Sequence, residues 1–192
     1  MAKPDWLSGA GAIDLAGLQL YTIGTAAGSI LRLADNGQVK PLEIRRERLV
    51  VVPVDVLWQI VEPAATLPSW FPLCDRCDVL SGEGLGRRQR MHSRWGGKAS
   101  EVDVEMTEYA PPTRLAWRHI GERVGGRPAP RISSVATMTI ELHAEGAGTR
   151  VVLTSRHVPV AWWAVPLLRL VAAPRIRRAV DQALARLAAS GS

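Results

Sequence analysis

Residues 42–52 alternate and then become continuously apolar through Val50-Val51-Val52, a pattern that predicts a β-strand stopped by Pro53. Pro53 also suits the first turn of a helix. Val54, Leu57, Trp58 and Val61 recur at helical spacing, so a short helix is expected up to Pro63. Residues 64–70 give a second short helix, closed by Ser69-Trp70-Phe71-Pro72. Beyond this point the period falls to two. Residues 74–81 read as a strand that enters the turn Gly82-Glu83-Gly84-Leu85-Gly86. That G-x-G-x-G spacing is followed by a strand rather than a helix, which makes it a hairpin and not a phosphate-binding loop.

The next two strands explain each other. In residues 87–95 one face carries Arg88, Arg90, His92 and Arg94, and the other carries Arg87, Gln89, Met91, Ser93 and Trp95. After Gly96-Gly97, residues 100–109 put Glu101, Asp103 and Glu105 on one face and Val102, Val104 and Met106 on the other. Antiparallel pairing sets the basic face beside the acidic one, so both point outward and Met91, Trp95, Val104 and Met106 point inward. Pro111-Pro112 turns the chain into residues 114–120, with Leu115, Trp117 and His119 on one face, and residues 121–131 read as a mobile loop. A last hairpin spans 132–143 and 149–158. Residues 162–190 form a long terminal helix, interrupted at Pro166 and Pro174 and amphipathic in its final part. Residues 1–41 stand apart as an N-terminal extension with a weak helical pattern, leaving 42–190 as one domain.

Composition alters this picture little. The hydrophobic and charged contents, 47% and 22%, are those of an ordinary globular domain. Seven Trp stand against one Phe and two Tyr, which suits a cavity wall or an interface as well as a core. The net charge of +6 raises acidic partners. The arginine run, however, is neutralised by the facing acidic strand, and no basic stripe alternates with aromatics, so nucleic acid is not an expected partner. Cys74 and Cys77 form a lone C-x-x-C entering a strand, where this spacing sends side chains to opposite faces; neither a disulfide nor a zinc site is expected. The histidines show no metal-ligand spacing, and no metal or other cofactor is implied. No signal peptide or convincing transmembrane segment is evident, which reads as cytoplasmic; peripheral membrane contact stays open.

The motifs Val52-Pro53-Val54-Asp55-Val56-Leu57-Trp58, Trp70-Phe71-Pro72, Gly82-Glu83-Gly84-Leu85-Gly86, Glu108-Tyr109-Ala110-Pro111-Pro112-Thr113-Arg114-Leu115 and Gly148-Thr149-Arg150-Val151 occur in an order that resembles the SRPBCC superfamily. Also called START-like or birch-pollen-allergen-like, it includes a bacterial polyketide cyclase/dehydrase and lipid-transport branch to which the chain is most similar. The resemblance implies an α+β helix-grip fold: a curved seven-stranded antiparallel sheet around a long C-terminal helix, two short helices after the first strand, and an apolar cavity between sheet and helix. It supplies no shared catalytic motif.

Strand parity then nominates the cavity wall as Met91, Trp95, Met106, Trp117, His119, Met138, Ser155 and His157, closed by Trp162, Trp163 and Leu167. The plainer alternative is that these side chains fill the interior. His119 and His157 are the candidate catalytic residues, because a neutral imidazole in a partly dry pocket can act as general base or acid. Glu108, by parity with Met106, would reach the mouth. Two functions follow: a cyclase or dehydratase acting on a polyketide-like substrate through these histidines, or a carrier or sensor of a lipid or other apolar metabolite that docks through Trp162 and Trp163.

Overall fold

The computed structural model describes residues 39–190. The expected N-terminal extension therefore lies almost wholly outside the described residues. Among them an eight-stranded antiparallel sheet runs in the order β1-β8-β7-β5-β4-β3-β2, with a two-residue β6 paired to β5. The strands are β1 (Leu42–Val50), β2 (Arg76–Ser81), β3 (Arg88–Trp95), β4 (Lys98–Ala110), β5 (Arg114–Val124), β6 (Arg127–Pro128), β7 (Ser133–Glu145) and β8 (Gly148–Pro159). Between β1 and β2 lie α1 (Val54–Val61), a 3-10 turn and α2 (Leu67–Trp70). After β8 come α3 (Ala164–Pro166), a π-helical stretch (Leu167–Ala172) and α4 (Ala173–Ala189). This is the helix-grip arrangement, with one more strand than parity suggested. The extra strand arises where a mobile loop was expected: β5 continues to Val124 and turns back at Gly125-Gly126 to pair Val124 with Arg127.

The inner face of the sheet packs on α1, α2 and α4. Leu57, Trp58, Val61, Trp70, Phe71, Met91, Val104, Leu115, Trp117, Ile140, Leu153, Val180 and Leu184 belong to one buried cluster. Trp58 meets Tyr109 edge to face, and Phe71 meets Trp117 in the same way. The large apolar faces of these rings account for much of the interior contact. At the C-terminus of α1, buried Arg87 donates to Glu62 Oε1 at 2.7 Å and to the Glu62 carbonyl at 2.8 Å. An inward-facing arginine is thus matched by a carboxylate and a helix-end carbonyl, both of which favour its charge.

The outward face carries the expected charge ladder. Arg90 forks onto Asp103 at 2.6 and 3.0 Å, Arg118 reaches Glu105 at 2.7 Å, and Arg123 bridges Glu101 and Asp103. The chain leaving β1 meets the start of β8 at one tight point. Thr149 Oγ1 donates to the Val52 carbonyl at 2.7 Å, and a Cβ on the neighbouring Gly148 would stand 2.4 Å from the Val50 carbonyl oxygen. Only glycine allows the backbones to approach so closely there.

The ladder between β4 and β5 is broken twice. Ile120 is an extra residue on β5, so that Val104 pairs with His119 but Asp103 with Gly121. Thr107 is an extra residue on β4, which restores the original phase by Glu108–Ala116. Paired bulges of this kind bend strands and increase twist, and here they curve the sheet around α4. They also change which residues share a face, with direct effect on the site.

Candidate functional site

His119 on β5 and His157 on β8 are brought together on the inner face. Their rings meet edge to face, 6.4 Å between centroids. The strand between them is β7, where Ala136 pairs with His157 and, one step beyond the last paired row of β5 and β7, stands beside His119. A methyl group at this position leaves both imidazoles room to converge. The next row inward is Trp117, Met138 and Ser155, all buried and in register.

Each histidine has its own polar partner. His119 Nδ1 lies 2.6 Å from Glu122 Oε1, and His157 Nε2 lies 3.0 Å from Ser155 Oγ. Strict alternation would put residues three apart on opposite faces. The bulge at Ile120 puts Glu122, which pairs with inward Val102, on the same face as His119. Glu122 was therefore invisible to parity counting. The N–H of His119 holds the Glu122 carboxyl below its ordinary range. Burial pushes His157 the other way for a base, down to about 4, with the neighbouring His119 adding to the effect. His157 is consequently a neutral imidazole at pH 7. The arrangement offers one histidine oriented by a carboxylate and one held neutral, side by side on an apolar wall.

The rest of the nominated wall divides into two groups. Met91, Met106, Trp117 and Met138 are buried in the central cluster, packed side chain to side chain with the helices. Leu167 is half-buried, at the start of the π-helical stretch. Three tryptophans lie elsewhere than inward. Trp95, at the tip of β3, is exposed beneath the Arg175 guanidinium, and Trp162 and Trp163 face solvent, with Trp162 72% exposed. The two precede α3 in an irregular turn, so neither strand nor helix periodicity aims them, and Ala164 and Leu168 close the interior instead. Glu108 is also corrected: the Thr107 bulge turns it outward, where it accepts from Arg114, and turns Tyr109 inward. A groove of about 470 Å³ lies at the other end of the β5–β7 ladder, lined by Thr113, Arg114, Glu141, Leu142, His143 and Ala144, remote from the histidines.

Among the described residues no three His, Cys, Asp or Glu side chains gather as metal ligands, and no helix is long and apolar enough to cross a membrane. Cys74 precedes β2 instead of lying within it, so the two cysteines do not alternate as expected; both pack on the core side, Cys74 buried and Cys77 half-buried.

The fold is that of the helix-grip class. The chain belongs to the family described as polyketide cyclase / dehydrase and lipid transport, whose model matches residues 41–191. Solved structures with the same fold include Ara h 8.0201, at 15% identity and a TM-score of 0.64 over 79% of this chain and 97% of that one. The ZhuI aromatase/cyclase from Streptomyces sp. R1128 aligns at 17% identity and a TM-score of 0.63, over 79% and 93% of the two chains. TTHA0849 from Thermus thermophilus aligns at 22% identity and a TM-score of 0.61, over 79% and 100%. No curated protein sequence matches the chain.

Proposed function

We propose that this protein binds an apolar, polyketide-like small molecule at the inner wall beside His119 and His157 and acts on it as a cyclase or dehydratase. The observation that carries this reading is the convergence of two histidines with opposite assignments. Glu122 accepts the Nδ1 proton of His119 and so fixes the tautomer in which Nε2 is free to take a proton from carbon next to a carbonyl. His157, neutral because it is buried, is suited to donate a hydrogen bond to that carbonyl without carrying charge into the apolar site. Met138, Trp117 and Ser155 form the adjacent floor, and folding a flexible chain against it would bring reacting carbons together. The family and the aromatase/cyclase neighbour support the substrate class. The test compares wild type with H119A/H157A on an aromatic polyketide precursor. Turnover should be lost while binding, followed by tryptophan quenching, survives. Unchanged turnover in the double variant would overturn the assignment.

A carrier of lipid or another apolar metabolite is the second reading, favoured by a specific surface. Trp162, Trp163, Leu170 and Val171 are exposed beside Arg169, Arg177 and Arg178, and Trp with Arg suits the interface of an anionic bilayer. Co-purified lipid, and vesicle binding that falls in W162S/W163S, would support this reading over catalysis; a lipid-free protein that ignores anionic vesicles would remove it.

A further inference from the structure

The inner face carries a polar side chain that the fold leaves without a partner. Gln89, on β3, is 3% exposed, and its Oε1 has no hydrogen-bond donor among the described residues. Buried amide oxygens are almost always paired, because folding strips them of water and an unmade bond is not repaid. The register of the sheet ties this group to the histidines. Gln89 pairs with Val104 on β4, and Val104 pairs with His119 on β5. With Ala136 and His157 these residues form one transverse row of the inner face, and Gln89 stands two strand spacings, about 10 Å, from His119. The row ends at Val79 on the edge strand β2, which pairs with Gln89 and is exposed, so it reaches solvent on that side.

The neighbours of Gln89 suit a bound molecule. Met91 follows it on the same face, and Met106, whose N–H donates to the Arg87 carbonyl at 2.9 Å, stands one row away on β4. Both methionines are buried and unbranched, so a change of rotamer lets the wall part around an entering molecule while the backbone stays in place. Arg87, two positions before Gln89 on this face, is also buried. Its NH groups are held by Glu62, while its Nε–H has no acceptor among the described residues. Given the function proposed above, on which this rests, we infer that Gln89 is a specificity-determining residue. Its amide oxygen accepts a hydrogen bond from a hydroxyl of the substrate, distant from the carbonyl held at the histidines. The substrate class is thereby narrowed to ketones that carry a distal phenolic or enolic hydroxyl. A hydroxyl donates to Oε1 and keeps lone pairs for an N–H such as that of Arg87. A carbonyl or ether there would set oxygen against oxygen, and a charged amine would stand beside a guanidinium. A bare hydrocarbon would leave both polar groups unpaired, which is how a buried site discriminates most strongly.

The test titrates benzylacetone and its para-hydroxy derivative, which share the ketone and differ only in the distal hydroxyl, into the full-length protein by calorimetry. Wild type should bind the hydroxylated ketone about tenfold more tightly or better. Q89L nearly keeps the volume and cannot accept a hydrogen bond. It should bring the two affinities within about twofold of each other, leave that for benzylacetone unchanged, and melt no lower than wild type, because an unpaired amide gives way to a group that needs no partner. Equal affinities in wild type, or a preference that survives in Q89L, would overturn the inference. So would a Q89L protein that melts lower and keeps the preference, since Gln89 would then serve folding alone. A136L, which fills the space between the imidazoles, should weaken both ketones alike, with circular dichroism showing that it is folded. If neither ketone binds wild type, or both ignore A136L, the inner wall is not the binding site, and the proposed function falls together with the role of Gln89.

Discussion

The guanidinium of Arg175, on α4, lies 4.2 Å from the centre of the Trp95 ring, and its NH2 group donates to the Arg94 carbonyl at 2.9 Å. One residue thereby fastens the tip of the β3–β4 hairpin to the gripping helix. A cation–π contact at an exposed position is worth about 0.5–1 kcal/mol. R175A should therefore leave global stability nearly unchanged and speed amide exchange at residues 94–99 several-fold. Hydrogen-exchange mass spectrometry reads this directly; exchange equal to wild type at the hairpin tip would show that the contact restrains nothing.

The lowered His157 gives a pH dependence of fixed sign. Between its ordinary value near 6.5 and about 4 the unfolded chain binds the proton more readily than the folded one, so stability falls as pH falls through that window. Its full extent is about 3 kcal/mol by linkage. Urea unfolding at pH 7 and pH 4.5 should show a smaller loss for H157N than for wild type. Glu122, lowered by His119, loses its contribution at the acid end of the same range, so the difference between the two proteins, and not the wild-type slope, isolates His157.

Breaking the Arg87–Glu62 pair on one side should cost more than replacing it. E62Q strands a buried guanidinium and should destabilise by about 3 kcal/mol, whereas the double variant R87M/E62Q should recover much of that loss. Denaturant midpoints for the two single variants and the double variant form the cycle that measures it. Additive single effects would show that the two side chains act independently.

The close approach at Gly148 predicts a sharp contrast between two glycines. A Cβ at Gly148 meets the Val50 carbonyl oxygen at 2.4 Å, while one at Gly121 meets only the Asp103 side chain, at 3.6 Å or more. G148A should lose about 2 kcal/mol or more and G121A less than about 0.5. Thermal melts of the two variants decide it.

Alternation made much of this fold legible. The facing of Arg90 and its basic neighbours with Asp103 and its acidic neighbours follows from charge patterns that needed no coordinates to assign a face. His119, Ser155 and His157 were likewise placed inward by counting in twos, because the strand segments that carry them run unbroken to the core rows. Counting failed wherever the strand did. Glu122 lies beyond the Ile120 bulge and Tyr109 beyond the Thr107 bulge, and bulges are imposed by the curvature of the whole sheet, a property of several strands at once. Cys74, Trp162 and Trp163 lie just outside regular elements, where neither period applies.

The two bulges have a consequence for how such a wall can change. The extra residue on β5 is balanced by one on β4, so pairing on either side keeps the same phase and the connecting turns keep their lengths. Only the block from Val104 to Met106, facing Trp117 to His119, is shifted relative to its surroundings. Adding or removing a residue at one crease would rotate new side chains toward the inner face at one side of this block, with the charged outer ladder still anchoring the remainder. The sheet thus holds a short interchangeable panel, and the imidazole of His119 stands at its edge.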